Sequence, residues 1–97
     1  MTFSISRKAA EDLEGIWLHT YRNWLLAQAD AYLSMLMEGI EFIAANPETG
    51  KQITFKRRRY RYLRVQSHLV FWQYNAARKR TAVIRILHAA MDHTRRL

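Results

Sequence analysis

Two kinds of hydrophobic spacing divide the chain near Gly50. Residues 2–5 alternate between polar and apolar side chains and predict a short first strand, after which Ser6 can cap a helix. From there to the middle of the chain, apolar side chains recur every three or four positions, which predicts helices. After Gly50 the apolar positions alternate, which predicts β-strands.

The helical half of the chain predicts an antiparallel hairpin of two helices. The first helix has an apolar stripe that we expect to face the core: Ala10, Leu13, Ile16, Trp17, Thr20, Tyr21 and Trp24. The second runs from about Ala27 to Ala45 and ends at Asn46-Pro47, because the residue before a proline resists helical geometry. Its stripe comprises Ala29, Tyr32, Leu33, Leu36, Ile40 and Ile43.

The alternating half predicts three strands. They cover residues 60–65, 69–74 and 81–87, with a tight turn at Gln66-Ser67 and a polar stretch over residues 75–80. The predicted fold is therefore α+β: an N-terminal strand, a helical hairpin and a three-stranded antiparallel meander. We expect a single domain over residues 1–97, since a chain of this length supports one core.

The charge of the chain is divided between its halves. Residues 1–50 carry three basic and seven acidic groups, a net of −4, whereas residues 51–97 carry thirteen basic groups and one acid, a net of +12. A surface this basic favours an anionic partner, and nucleic acid, an acidic peptide or an acidic protein face would all qualify. Charge alone does not choose among them, and a solvated face that keeps the protein soluble is the simplest interpretation.

Composition excludes several kinds of site. The chain has no cysteine, so a disulfide, a thiolate nucleophile and a cysteine zinc site are all impossible. His88 and His93 are five positions apart instead of the four that align two ligands on one helix face, so we expect no metal. No cofactor is expected. The apolar runs are too short to span a bilayer and the N-terminus lacks a signal-peptide stretch, so we expect a cytoplasmic protein without membrane contact.

The order of elements and several local motifs resemble the ParE branch of the RelE/ParE toxin superfamily. The motifs that carry the resemblance are Ala10, Asp12-Leu13, Ile16-Trp17, Thr20, Trp24, Ala27-Gln28-Ala29, Tyr32, Asn46-Pro47, Gly50-Lys51, Tyr60-Arg61, Val65, Ser67-His68-Leu69-Val70-Phe71, Arg85-Ile86-Leu87-His88 and Met91-Asp92. Three positions depart from the family pattern. Leu25 and Gln66 stand where the family usually has glycine, and Ala90 stands where arginine is common.

The resemblance implies a toxin that binds and inhibits DNA gyrase and is neutralised in a hetero-oligomer with a ParD-like antitoxin, with no small-molecule substrate. The main alternative is a RelE-like ribonuclease that cleaves messenger RNA on the ribosome. Such relatives have an arginine after the hairpin turn and another after the last strand, and the matching positions here are His68 and Ala90. A third possibility is a nucleic-acid-binding module, because the run from Lys56 to Arg64 interleaves cations with aromatic residues.

Two groups of residues are candidates for partner binding. For the antitoxin, we expect an apolar helix on the helical hairpin and acidic side chains over the arginine strand, which selects Trp17, Tyr21, Trp24, Arg58, Arg61 and Arg64. For the target, we expect a C-terminal segment exposed beside the sheet: Arg85, His88, Met91, Asp92, Arg95 and Arg96. Core packing of the aromatic residues and of Met91, with solvated arginines, is the alternative in both places. His68 and His88 are interpreted as structural, each satisfied by a backbone carbonyl or a tyrosine.

Overall fold

The computed structural model describes residues 3–97, apart from the side chain of Thr94. The elements follow the predicted order and confirm the α+β class: β1 Phe3–Ile5, α1 Arg7–Asn23, α2 Leu26–Ala45, β2 Lys51–Phe55, β3 Arg58–Val65, β4 His68–Asn75, β5 Arg80–His88 and a 3₁₀ turn His93–Arg95. The first strand was predicted to begin at Thr2, which lies outside the described residues.

The sheet has one strand that the sequence analysis did not predict. Strand β2 pairs antiparallel with β3, so the meander has four strands instead of three, and β1 joins it parallel to β5. The complete order is β1-β5-β4-β3-β2. Only Ile53 and Phe55 are apolar in β2, and both are half-buried because the strand lies at the edge of the sheet. Two apolar positions are too few for alternation to stand out in the sequence.

The start of α1 is built as predicted, but its buried face differs. The Ser6 side chain caps the helix by accepting a hydrogen bond of 3.0 Å from the Ala9 amide. Ala9 is fully buried, whereas Ala10, which we placed in the core stripe, is exposed. Helix α1 ends at Asn23, so Trp24 lies beyond it. Tyr21 and Trp24 are also exposed, which corrects the expectation that the whole stripe faces the core.

The main core lies between the helices and one face of the sheet. It joins Ala9 of α1 and Ile40 and Ile43 of α2 to four strand residues: Val70, Trp72, Val83 and Ile86. The predicted core stripe of α2 is confirmed by the full burial of Ala29, Leu36, Ile40 and Ile43.

The loop between α2 and β2 closes around Trp72. The indole N–H of Trp72 donates a 3.0 Å hydrogen bond to the Pro47 carbonyl. Gly50 has a φ of +80°, and a Cβ there would lie 2.8 Å from the Trp72 ring and 2.6 Å from the Tyr62 carbonyl oxygen. Only glycine combines this conformation with so close an approach. The loop thereby holds β2 beside β3.

A second apolar cluster lies on the opposite face of the sheet, which we call the outer face. Leu69, Phe71 and Leu87 form it, and Ala89 and Leu97 pack against it. The His93 ring also lies 5.3 Å from the Phe71 ring. The chain after β5 is therefore folded back over the outer face. Within residues 3–97, no helix has the length and apolar character needed to cross a membrane.

Candidate binding surfaces

Beyond the end of β1, residues of α1 and its N-cap provide hydrogen-bond partners for the exposed edge of β5. The Ser6 amide and hydroxyl donate hydrogen bonds to the carbonyls of Val83 (2.9 Å) and Ile84 (2.7 Å). One turn and a half later, the Asp12 carboxylate accepts a hydrogen bond of 2.9 Å from the Ile86 amide. These contacts provide partners for backbone carbonyl and amide groups of β5 that do not pair with β1. They also hold α1 against the C-terminal half of β5.

The same Asp12 carboxylate forms a bidentate ion pair with Arg85. Arg85 Nε lies 2.8 Å from Asp12 Oδ2 and Nη2 lies 2.9 Å from Oδ1, with the two side chains only 15% and 14% exposed. The hydrogen bond to Asp12 raises the pKa of Arg85 and outweighs burial, which lowers it. Arg85 Nη1 also donates a 2.7 Å hydrogen bond to the Arg96 carbonyl. Arg85 was predicted to be exposed, and this is wrong: it joins α1 to the C-terminal segment.

A continuous groove runs along the end of the sheet where α1 meets the C-terminal segment. Its larger part, about 700 Å³, is lined by residues that include Asp12, Tyr32, His68, Arg85, His88 and Met91. A smaller, apolar part of about 300 Å³ is lined by Thr20, Trp24, Gln28, Ala31, Tyr32 and Met35. The two parts share Thr20, Trp24 and Tyr32, and we call them together the hairpin groove.

At the centre of the hairpin groove, Tyr32 and His68 form a half-buried hydrogen-bonded pair. The Tyr32 oxygen lies 2.6 Å from His68 Nδ1 and accepts a 3.1 Å hydrogen bond from the Ser67 amide. When Tyr32 donates its proton to Nδ1, the neutral imidazole carries its own proton on Nε2. Burial, with a smaller contribution from the charges of His88 and His19, lowers the pKa of His68 to about 4. The predicted tyrosine partner of His68 is confirmed.

His88 has a different partner from the one predicted. Its Nδ1 accepts a 3.0 Å hydrogen bond from the Ala90 amide, in place of a bond to a carbonyl or a tyrosine. Its ring also packs edge-on against His68, with 5.2 Å between ring centres. No group of three or more histidine and carboxylate side chains among residues 3–97 could hold a metal ion.

The turn between α1 and α2 presents an apolar surface to solvent. Tyr21, Trp24, Leu25 and Leu26 are 48%, 66%, 70% and 53% exposed. Trp17 is half-buried, stacks on Tyr21 with 5.3 Å between ring centres, and donates a 2.9 Å hydrogen bond to Asp30. The candidate residues Trp17 and Tyr21 are therefore in contact, and Trp24 lies after the end of the same helix and lines the groove. We call Tyr21, Trp24, Leu25 and Leu26 the apolar turn.

The sequence analysis missed the two leucines of the apolar turn. The available signal was a pair of leucines directly after Trp24, at a break between helices where polar residues are usual. Leu25 has an extended backbone, with φ of −112°, and precedes the first residue of α2. Leucine therefore replaces the family's glycine here without a backbone cost.

The three candidate arginines of β3 do not form one row. Arg58 is exposed at the start of the strand, far from the hairpin groove. Arg61 is half-buried and donates hydrogen bonds of 2.8 and 3.3 Å to the carbonyls of Glu48 and Thr49. Arg64 is exposed and donates a 2.8 Å hydrogen bond to the Gln66 carbonyl, next to the turn that borders the hairpin groove. Of the three, Arg64 alone lies beside that groove, because the strand runs away from it.

The C-terminal candidates other than Arg85 are exposed, as predicted. They are His88, Met91, Asp92, Arg95 and Arg96. The segment that carries them is held at its end by Leu97 on the outer face, and in its middle by the ring contacts of His93 with Phe71 and Tyr62. These contacts pack the segment against the outer face of the sheet.

The fold and these surfaces define a small α+β protein with an apolar groove and a strongly basic sheet. Its sequence matches the model of the ParE toxin family of type II toxin-antitoxin systems over residues 3–93. The chain belongs to this family and is a ParE-type toxin of a type II toxin-antitoxin system.

Individual relatives agree with this assignment. The chain is 37% identical to Toxin ParE1 of Mycobacterium tuberculosis, covering 98% of this chain and 96% of the relative. It is 34% identical to Toxin ParE1 of Caulobacter vibrioides, with 93% and 91% covered. A solved structure described as the chromosomal ParDE system from P. aeruginosa superposes with a TM-score of 0.76 over 91% of this chain and 95% of that one. Sequence identity to that structure is 21%, so this likeness concerns the fold.

Proposed function

We propose that this toxin binds and inhibits DNA gyrase in the cytoplasm without catalysing a reaction, and that a ParD-like antitoxin neutralises it by covering the hairpin groove. The observation that carries the antitoxin part is the apolar turn, where four large neighbouring apolar residues are each about half or more exposed. A solvated protein of this size rarely leaves such a patch uncovered. An amphipathic helix of the antitoxin would bury the patch and continue into the apolar part of the groove.

The arginines of β3 indicate the direction in which the antitoxin would run across the toxin. Of the three candidate arginines of β3, Arg64 is the exposed one next to the groove, so an acidic residue after the apolar helix would meet it before the other two. Arg61 and Arg58 lie progressively further along β3 and would contact the more distal part of an acidic tail. Trp17 would contribute indirectly, by holding the Tyr21 ring through stacking.

Substitution of Trp24 tests the antitoxin site. Because Trp24 lies after the last turn of α1 and is largely exposed, Trp24→Ala should leave the thermal midpoint unchanged and weaken antitoxin binding by at least about tenfold, as expected for a central tryptophan of an interface. Phe42→Ala is the matched control, since Phe42 is also an exposed aromatic residue, on α2 and outside the groove lining. Equal losses of affinity in both variants, measured by calorimetry, would contradict this site.

The C-terminal segment is the proposed gyrase contact. It presents Met91, an adaptable apolar side chain, together with His88, Asp92, Arg95 and Arg96 on a rigid base. Arg85 serves as a positioning residue, because its guanidinium holds the Arg96 carbonyl and is itself held by Asp12. The segment borders the hairpin groove through Met91 and Arg96, so an antitoxin in that groove would lie against the gyrase contact.

Two exposed methionines allow a crossed test. Met91 and Met35 are 40% and 37% exposed, one at the C-terminal segment and one in the apolar part of the groove. Met91→Ala should weaken inhibition of gyrase supercoiling more than it weakens antitoxin binding, because Met91 also lines the larger part of the groove. Met35→Ala should weaken antitoxin binding and leave gyrase inhibition nearly unchanged. If Met91→Ala inhibits gyrase as well as the parent protein, and Arg95→Glu with Arg96→Glu does too, the segment is not the contact.

A ribonuclease remains the second candidate because His68 and Arg85 line the same groove. An imidazole base beside a cation is an arrangement that RNA cleavage can use, although the pKa of about 4 makes His68 a weak base. Two contacts weaken this candidate. Arg85 already gives its donors to Asp12 and the Arg96 carbonyl, and Nδ1 of His68 is occupied by Tyr32. Cleavage of messenger RNA by the purified toxin on translating ribosomes, abolished by His68→Gln, would establish the ribonuclease instead.

A further inference from the structure

The end of the sheet opposite the hairpin groove carries a concentrated positive charge. Strands β3 and β4 are antiparallel, so the β2–β3 turn and the β4–β5 turn lie at the same end. Their cations are all exposed: Lys56, Arg57, Arg58, Arg59, Arg78, Lys79 and Arg80. We call these seven residues the cationic end.

These cations have no carboxylate partners within the described part of the chain. The ion pairs there involve other cations, joining Arg7 to Glu11, Arg85 to Asp12 and Arg95 to Asp92. Residues 49–91 contain no aspartate or glutamate at all. Glu48 lines a shallow groove together with Arg59 but forms no ion pair with it. The charge of this end is therefore available to a partner from outside.

Three residues of the cationic end have backbone conformations that are unfavourable for lysine and arginine. Lys56, Arg57 and Lys79 have φ values of +50°, +66° and +52°, the left-handed region where glycine or asparagine is favoured. Two consecutive residues of this kind form the hairpin turn for which Asn-Gly is the usual sequence. The turn has a lysine and an arginine instead, so charge is present at positions where another residue would fold more favourably.

The shape between the two turns suits a sugar-phosphate backbone. A concave surface of about 650 Å³ is lined by polar residues that include Ser4, Arg59, Gln73, Asn75, Arg78 and Arg80. Guanidinium groups match phosphate oxygens in pairs. Single-stranded nucleic acid would require exposed aromatic rings for stacking, but Tyr60 is buried and Tyr74 is half-buried here. A duplex, bound through its phosphates, fits better.

We propose that the cationic end binds the phosphate backbone of duplex DNA without sequence preference. DNA is chosen over duplex RNA because gyrase holds DNA, so this choice rests on the proposed function. Strand β5 runs from Arg80 at the cationic end to His88 in the hairpin groove, and its eight steps of roughly 3.3 Å separate these two residues by about 26 Å. One toxin can therefore contact DNA at one end and a protein partner at the other.

The test replaces the strained turn by its favoured sequence, Lys56→Asn with Arg57→Gly. This variant should fold at least as stably as the parent, so weaker binding cannot be attributed to unfolding. The full chain is titrated with a fluorescent duplex DNA of about 30 base pairs at several salt concentrations, without gyrase or antitoxin. We expect the slope of log affinity against log salt to fall by about two, because two cations no longer neutralise phosphates. Affinity at 0.1 M salt should fall roughly eightfold for each of these two cations.

The matched charge control is Lys8→Gln with Arg22→Gln, which removes two exposed cations from α1. It should bind DNA nearly as well as the parent protein. The proposal is overturned if the parent protein does not bind duplex DNA at low salt, if the turn variant binds unchanged, or if the control loses as much affinity as the turn variant. Equal binding to duplex RNA, to single-stranded DNA or to polyglutamate would overturn the choice of duplex DNA. Because gyrase is absent, the result is independent of whether gyrase is the target.

Discussion

The hydroxyl oxygen of Tyr32 on α2 lies 2.6 Å from Nδ1 of His68 at the start of β4. The same oxygen accepts a hydrogen bond from the Ser67 amide in the β3–β4 turn, so one side chain joins the helical hairpin to the sheet. Both bonds are satisfied with a neutral imidazole. In a protonated His68, Nδ1 would be a donor, so the tyrosine hydroxyl would have to turn its own proton away from the imidazole. Protonation would also place a charge in a partly buried site near His88 and His19.

The first prediction concerns stability at acidic pH. The pKa of His68 is about 4 in the folded chain against 6.5 unfolded, so between these values the unfolded chain binds more protons. The free energy of unfolding should therefore be fully retained above pH 6.5 and fall as the pH drops towards 4. Because the imidazole is only partly buried, we expect a loss of about 1–2 kcal/mol instead of the full value of the shift.

The variant His68→Gln isolates this effect. Glutamine can still contact Tyr32 but does not titrate, so the difference in unfolding free energy between the two proteins should change with pH only between about 4 and 6.5. Urea unfolding at half-unit steps of pH measures it. Parallel curves for the two proteins would show that His68 is not the titrating group.

The second prediction concerns the Asp12–Arg85 pair. Asp12→Ala removes three hydrogen bonds, including the one from the Ile86 amide, and should cost about 2–4 kcal/mol of stability. Arg85→Ala leaves the Ile86 amide satisfied and should cost less. A double-mutant cycle in urea should give a coupling energy of about 1–2 kcal/mol that changes little with salt, because the pair is mostly buried. Additive losses would argue against the pair.

The third prediction concerns the two positions where the family usually has glycine. Gln66 has a φ of +55°, so Gln66→Gly should stabilise the chain by about 0.5–1 kcal/mol. Leu25 has a φ of −112°, so Leu25→Gly should destabilise it by about 0.5–1 kcal/mol. Thermal unfolding compares the two at equal protein concentration. The same sign of change in both variants would be inconsistent with the backbone conformations described.

The fourth prediction concerns the packing of the C-terminus. Leu97 covers the outer-face cluster around Phe71 and Leu87, so Leu97→Ala should cost about 1 kcal/mol. Arg96→Ala, one residue earlier, should cost little because Arg85 contacts the Arg96 carbonyl and not its side chain. Hydrogen exchange should show faster exchange of the Arg96 and Leu97 amides in Leu97→Ala alone. Equal exchange in both variants would indicate a segment that is not packed on the sheet.

Much of the fold could be predicted from the sequence because its evidence is local. Ser6 caps α1 through an atom three residues away, and Pro47 ends α2 by excluding helical geometry at Asn46. The change of hydrophobic period near Gly50 also separates helices from strands, because each period is visible within a short stretch of sequence. Strand β2 was missed because an edge strand buries too little for its pattern to differ from that of a loop. The resemblance to the ParE branch is also visible in short motifs, and the family match confirms it.

The surfaces depended on contacts between distant parts of the chain. Helical spacing shows that Trp17, Tyr21 and Trp24 share a side, but not that α1 ends before Trp24 and leaves it exposed beyond the sheet. Arg85 was expected in solvent as part of a C-terminal segment exposed beside the sheet. Its partner Asp12 is 73 residues away and reaches it only because β1 is too short to cover the edge of β5. Sequence by itself determined the elements other than β2, and the family, since caps, prolines and periodicity act within a few residues. Tertiary structure alone decided which aromatic residues and which cations are exposed, since exposure depends on what the rest of the chain covers.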